Sequence, residues 1–224
     1  HLFDDRVPEH YITEKCTTFD AVYENYELSD LSQLRSIVEA DNELEGLNVT
    51  IPYKQSVIPL LDDVDAVAQT IGAVNVIRIE RTDNTVRMVG CNSDYIGFRN
   101  SVTPLLMPHH THALVLGTGG ASKAVCAALA DMGIQVVRVS RTPGEGELSY
   151  DALTAEVMAQ YTIVVNTTPL GMFPHVDACP NIPYDFLSSQ HLCYDVVYNP
   201  ECTLFMKRAS EQGAVVHNGL EMLY

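Results

Sequence analysis

The sequence predicts an α/β chain in two parts, and three observations carry that expectation. A continuous apolar run, Ala113-Leu-Val-Leu116, leads into the glycine loop Gly117-Thr-Gly119-Gly120-Ala121 and then into an amphipathic helix, the strand, turn and helix order in which a glycine loop has meaning. From there to the end, stretches of strand and helix character alternate, as in a doubly wound sheet. The first half has another rhythm and closes on Pro108-His-His-Thr-His112, the most loop-like stretch of the middle. We therefore expect an N-terminal α/β domain over 1–106 and a C-terminal doubly wound, Rossmann-like domain over 107–224.

The elements follow in order. Residues 1–20 show no clear period. Ala21 to Leu28 mixes β-formers with alternating acids and reads as a strand. Ser29 then caps a helix through Ala40, with Leu31, Leu34, Ile37 and Val38 on one face. Gly46 to Thr50 is the next strand, so a βαβ unit and a parallel sheet are expected here, with the chemistry at the carboxyl ends of the strands. Ser56–Leu61 and Val64–Ile71 read as short helices. Gly72–Ile79 and Val86–Gly90 read as a strand pair turned at Thr82-Asp-Asn84, and a helix from Tyr95 to about Leu105 follows.

In the second half, Ala113–Leu116 has the composition of a strand buried on both faces. The helix after the glycine loop presents Ala124, Val125, Ala128, Leu129 and Met132 on one side and stops at Gly133. Strands are expected at Gln135–Val139, Thr162–Asn166, Leu192–Val197 and Ala214–His217. Helices are expected near Tyr150–Ala159 and at Cys202–Glu211.

Composition narrows the function classes. The chain has 224 residues, 46% of them apolar and 19% charged, with a net charge of −16. Such a polyanion is repelled by phosphate backbones and anionic lipid, which argues against nucleic acid and membrane as partners. No run of 18 apolar residues occurs, and residues 1–9 lack a signal-peptide core, so a cytoplasmic protein is expected. The six cysteines, Cys16, Cys91, Cys126, Cys179, Cys193 and Cys202, are scattered without C-x-x-C spacing and read as reduced thiols. His109, His110 and His112 sit in a polar linker and read as solvated, so no metal site is expected.

Two groups of residues carry chemistry. Gly117, Gly119 and Gly120 let the backbone approach a pyrophosphate at a helix N-terminus, where free N–H groups and a partial positive charge collect. At the tip of the next strand, where NAD enzymes usually place a carboxylate, stands Ser140-Arg141-Thr142. An arginine fork among hydroxyls suits the 2′-phosphate of NADP, although a solvated surface arginine would read the same. Asn166-Thr-Thr168-Pro-Leu-Gly-Met172, Asp195-Val-Val197-Tyr198-Asn-Pro200 and Asn218-Gly219-Leu-Glu-Met222 each follow a strand. They would border the ribose and nicotinamide, or serve only as structural loops. The second group is Asn48-Val-Thr50-Ile-Pro-Tyr-Lys54 with Asn75 and Asn92-Ser-Asp94. Two amides, a hydroxyl, an ammonium and a carboxylate suit a small polyhydroxylated acid. Asp94 could equally cap a helix, and Asn75 could serve a turn.

Together these motifs resemble the shikimate dehydrogenase family, over about Tyr11 to Met222. The resemblance implies an NADP-dependent oxidoreductase that reduces 3-dehydroshikimate to shikimate on the route to aromatic amino acids, with residues 1–106 as its substrate domain. It implies Lys54 and Asp94 as catalytic pair and Thr50, Asn75 and Tyr198 as substrate ligands. Gly117, Gly119, Gly120, Ala121, Arg141 and Thr142 would hold NADP, and Thr168, Met172, Val197, Gly219 and Met222 would line the nicotinamide side. A small-molecule partner and a monomer or homodimer follow, and a cleft between domains would close around the ligands.

Two departures accompany the resemblance. The family opens with a strand ending in Ser-x-Ser that binds the substrate carboxylate, and nothing in residues 1–10 matches it. The family also continues past the Gly219 region into a helix bearing a substrate-binding glutamine, whereas this sequence ends at Tyr224. Weakened substrate affinity is expected for the chain as it stands. The rival readings are a quinate/shikimate dehydrogenase using NAD, a methylenetetrahydrofolate dehydrogenase-like enzyme, and a non-catalytic ligand-sensing paralogue.

Overall fold

The structure is a computed structural model that describes residues 22, 25, 26, 28, 30–50, 52–83 and 85–223. Most of the strand expected over 21–28, the cap assigned to Ser29, Cys16 and the whole of 1–20 lie outside these residues. The chain divides into two compact units after Ser93, and each is described by itself.

In the first unit a 3-10 turn, Leu31–Gln33, runs into helix α1, Leu34–Ala40. Asp30 opens the turn by accepting the Ser32 N–H at 2.9 Å. Leu34 and Val38 are fully buried on one face of α1, as their spacing predicts. The far end of α1 leaves carbonyls without helical donors. Arg81 answers them, donating to Val38 O, Asp41 O and Leu44 O, a cation placed where the helix dipole is negative.

The sheet of this unit contains β1 (Gly46–Asn48), β2 (Asp63–Val64), β3 (Val76–Thr82) and β4 (Thr85–Cys91), in the order β1-β3-β4-β2. Helix α2, Ala66–Ile71, precedes β3 and is capped by Asp65, which accepts the Ala68 N–H at 2.6 Å. The expected parallel arrangement does not hold for the described strands. β1 pairs β3 and β3 pairs β4 antiparallel, and only the short β2 runs parallel to its neighbour. A tight turn such as the one joining β3 to β4 can return the chain only antiparallel. β3 also begins at Val76, later than expected, because Gly72 at φ 67° closes α2 in the left-handed region. Asn75 thus stands just before the strand, where the sequence reading had it inside Gly72–Ile79.

Helix α3 spans Ser93–Val102, and all but its first residue belongs to the second unit. The sheet of that unit is six-stranded and wholly parallel: β5 (His112–Leu116), β6 (Gln135–Ser140), β7 (Leu148–Ser149), β8 (Ile163–Asn166), β9 (Leu192–Asp195) and β10 (Val215–Asn218). The order is β10-β9-β8-β5-β6-β7. Counted within the unit this is the 3-2-1-4-5-6 arrangement of a doubly wound fold, reversing direction between β5 and β8. Helices α4 (Gly120–Asp131), α5 (Ala155–Gln160) and α6 (Leu204–Glu211) follow β5, β7 and β9. β8 and β9 are buried along their whole lengths, which accounts for the apolar residues that lead up to Asn166 and Asp195. The helix expected over Tyr150–Ala159 is split into a 3-10 turn, Tyr150–Ala152, and α5, restarted by the Thr154 cap.

α3 is fastened to this sheet by side chains. Ser101 Oγ and Tyr194 OH are 2.6 Å apart, Phe98 meets the Tyr194 ring edge-on at 5.0 Å, and Tyr95 OH donates to Asp131 at 2.6 Å. In the histidine-rich linker His109 is exposed as expected, whereas His110 is not. His110 is buried, its Nδ1 accepts from Met107 N at 3.0 Å, and Nε2 faces Gln190 O at 3.2 Å. Among the described residues no helix is long and apolar enough to cross a membrane.

Candidate active site

In the first unit three segments far apart in sequence are tied into one junction. Val49 N donates to Asn75 O at 2.8 Å, and Val74 N donates to Lys54 O at 2.7 Å. The segment bearing Thr50 and Lys54 is thereby held against residues 74–75. Asn75 N donates to Cys91 O, and Asn92 Nδ2 donates to Ala73 O at 2.8 Å, which adds the end of β4. Asn75 then grips Ser93 twice: its Oδ1 accepts the Ser93 N–H at 2.8 Å and its Nδ2 donates to Ser93 Oγ at 3.0 Å. Asn75 and Asn92 are buried, and a buried amide is stable only with such partners. Thr50 and Lys54 are half-buried beside them. Asp94 follows Ser93 in the first turn of α3, and Tyr198 lies in the second unit.

In the second unit parallel strands bring their carboxyl ends to one edge, and the predicted cofactor residues follow those ends. Gly117 leaves β5 at φ 108°, a region that L side chains rarely adopt. A Cβ there would stand 2.9 Å from Thr167 Oγ1, just past β8. The glycine loop thus lies at the reversal point of the strand order, the crevice in which doubly wound sheets bind their ligands. Gly117 N donates to Val139 O, and Ser122 Oγ donates to Gly117 O at 2.7 Å. Arg141 and Thr142 are exposed two and three residues beyond Val139, at the end of β6.

The loop fits a dinucleotide. Gly119 is the N-cap of α4, and no side chain among the described residues caps that helix. Apart from its own chain neighbours, no described heavy atom lies within 4 Å of where a Cβ would stand on Gly119. The first turn of α4 is thus left without a side-chain cap beside an open Gly119, the arrangement in which a helix N-terminus can receive a phosphate.

The ends of β8 and β9 share a buried network that motif reading passed over. Asp195 is fully buried. Its Oδ1 accepts from Asn166 Nδ2 and Val197 N, both at 3.0 Å, and its Oδ2 accepts from Thr203 Oγ1 at 2.6 Å. Asn166 Oδ1 in turn accepts from Thr168 N at 3.0 Å and Thr168 Oγ1 at 2.7 Å. Thr168 and Val197 are thus positioned by one carboxylate and one amide. Burial pushes the Asp195 carboxyl up to about 7, against the pull of its three donors. The available signal was a carboxylate closing an apolar strand, Leu192-Cys-Tyr-Asp195, where a charge needs partners. Met172 lies in the loop after Thr168, and Gly219 and Met222 form the 3-10 turn Gly219–Leu223 after β10. No described group of three or more His, Cys, Asp or Glu is placed to hold a metal ion.

Residues 9–77 match the family model described as the shikimate dehydrogenase substrate binding domain. The chain is 37% identical over 200 residues to the shikimate dehydrogenase (NADP(+)) of Desulforamulus reducens, covering 80% of this chain and 67% of that protein. It is 32% identical over 224 residues to the shikimate dehydrogenase (NADP(+)) of Caldicellulosiruptor saccharolyticus, covering 91% and 78%. The crystal structure of shikimate 5-dehydrogenase from Thermus thermophilus in complex with NADP(H) and shikimate aligns with a TM-score of 0.78 at 29% identity. That alignment covers 96% of this chain and 82% of the other.

Proposed function

The chain belongs to the shikimate dehydrogenase family, and on that premise we propose that it catalyses the reversible, NADPH-dependent reduction of 3-dehydroshikimate to shikimate. The observation that carries this reading is the hydrogen-bonded junction of the Lys54, Asn75 and Asn92–Ser93 segments, because it fixes the backbone that carries Thr50, Lys54 and Asn75. NADPH, when bound, supplies the hydride. Gly117, Gly119, Gly120 and Ala121 receive its pyrophosphate, while Arg141 and Thr142 take the 2′-phosphate. Thr168, Met172, Val197, Gly219 and Met222 border the nicotinamide.

Lys54 is the proton donor. Its ammonium stabilises the oxygen that gains charge as the ketone is reduced, then gives up a proton to complete the hydroxyl. Asp94 accepts a hydrogen bond from a ring hydroxyl and orients the substrate. Thr50, Asn75 and Tyr198 contribute further substrate contacts. The substrate is a small molecule, and a cytoplasmic monomer or homodimer is part of the same proposal.

The test is reduction of NADP⁺ followed by absorbance with shikimate as reductant. Turnover with shikimate and NADP⁺ is the expected result. Turnover only with quinate and NAD⁺ would reassign the substrate, and ligand binding without turnover would replace catalysis by sensing. Within the same assay, Arg141→Ala is expected to raise the KM for NADPH roughly 10- to 100-fold, the value of one or two charge-assisted hydrogen bonds. The KM for NADH should change little. Equal losses with the two cofactors would show that Arg141 does not read the phosphate.

A further inference from the structure

The helix that begins next to the substrate junction and the last turn of the second unit touch with no side chain between them. A Cβ on Gly97 would stand 2.6 Å from Met222 O, 3.1 Å from its Cα and 3.2 Å from its carbonyl carbon. These are backbone atoms, so they cannot rotate aside as a flexible side chain could. On its other side the same turn is equally tight: a Cβ on Gly219 would stand 2.3 Å from Val196 O and 2.7 Å from Val196 C. The turn Gly219–Leu223 is therefore gripped between α3 and the segment that follows β9.

Two further observations give the contact a direction. Asp94 and Gly97 are three residues apart in α3 and so share a helix face. Asp94 therefore lies about one turn from the point at which α3 meets Met222. One turn further along, Ser101 is bonded to Tyr194, whose ring packs at 5.4 Å against His217 on β10, two residues before Gly219. The height of α3 is thus set at both ends against the strand that delivers the turn.

We propose that Gly97 is a positioning residue: by letting α3 approach the Met222 backbone without a spacer, it sets the distance between the substrate hydroxyl oriented by Asp94 and the hydride donor bordered by Met222. The inference rests on the reading of Asp94 and Met222 given above. A methyl group at residue 97 would push the helix and the turn apart, shifting Asp94 with the helix while removing no polar side chain of the site. Hydride transfer depends steeply on donor–acceptor distance, and a misplacement of about 1 Å can cost roughly 100-fold.

The experiment compares wild type and Gly97→Ala in the full chain with two independent readouts. In the ligand-free protein, amide exchange at 219–223 should accelerate in the variant while that of 113–116 stays as it was. In turnover, kcat should fall roughly 10- to 100-fold, the KM values for NADPH and shikimate should stay within about twofold, and the deuterium isotope effect with 4-deuterated NADPH should rise. Unchanged exchange at 219–223, or a lower kcat with an unchanged isotope effect, would overturn the proposal. Should Gly97→Ala not fold, Ser101→Ala loosens the same helix without adding atoms. It should show the same pattern at several-fold size, and wild-type kinetics there would also overturn it. If the wild type itself fails to oxidise shikimate, the proposed reaction falls, whereas the exchange comparison still decides whether Gly97 sets the helix height.

Discussion

Lys54→Ala is expected to lower kcat by roughly 10² to 10⁴, equivalent to about 3–5 kcal/mol of lost transition-state stabilisation, while the Kd for NADPH stays unchanged. The reason for so clean a separation lies in how the residue is held. Its carbonyl accepts Val74 N, and the turn before it is closed by Tyr53 N donating to Thr50 O at 2.9 Å. Both are backbone bonds that survive truncation of the side chain, so the variant loses an ammonium and keeps its fold. Lys54→Arg should rescue little, since a guanidinium keeps the charge but does not release a proton in the working pH range. Steady-state kinetics with a fluorescence titration of NADPH check both statements. A kcat near the wild-type value would remove Lys54 from the chemistry.

The second large effect is on stability. Asp195→Ala would leave Asn166 Nδ2, Val197 N and Thr203 Oγ1 without their acceptor. Stranding buried donors costs about 1–3 kcal/mol each before relaxation, and a total of about 3–5 kcal/mol is expected. Asp195→Asn should cost far less, because it keeps an oxygen toward Asn166 and Val197 while removing the charge. The pH dependence has a definite sign. The carboxyl rises from its ordinary 3.8 in the unfolded chain to about 7 in the fold. Between those values the folded protein retains a proton that the unfolded chain has released. This contribution is therefore complete below pH 3.8, is lost as pH rises toward 7 and changes no further above it. Urea unfolding by circular dichroism near pH 5 and near pH 8 should show a lower midpoint at the higher pH for wild type. Asp195→Asn should flatten that difference, and an unaltered difference would locate the titration elsewhere.

Much of the second unit could be read from its sequence because its signals are local. A strand buried on both faces is apolar along most of its length, so β5 and β8 announce themselves, and a glycine loop between strand and helix has few other uses. The first unit was less legible because its decisive choices are not local. Ala73-Val-Asn-Val76 has the composition of a strand, yet the left-handed Gly72 and the bonds from Asn75 to residues 91 and 93 keep the first three out of it. No spacing rule could show that β1 would pair with β3 antiparallel. The same limit hid the contact of Gly97 with Met222, since its signal is a missing side chain and its partner is about 125 residues away. Asp195 lay between these extremes: its place at the end of an apolar strand marked it, and two of its donors, Val197 and Thr203, are near in sequence, but the third, Asn166, comes from the end of another strand.

The uncapped first turn of α4 carries a thermodynamic consequence. Glycine at 119 is a poorer cap than serine or aspartate by a few tenths of a kcal/mol, and the nearby hydroxyl of Ser122 is already engaged with Gly117 O. Engineering the helix end for hardiness would place aspartate there, and its carboxylate would then compete with the anion the turn is shaped to accept. Heat resistance and cofactor affinity pull in opposite directions at this residue. Natural variants that gain one should be found to have surrendered part of the other.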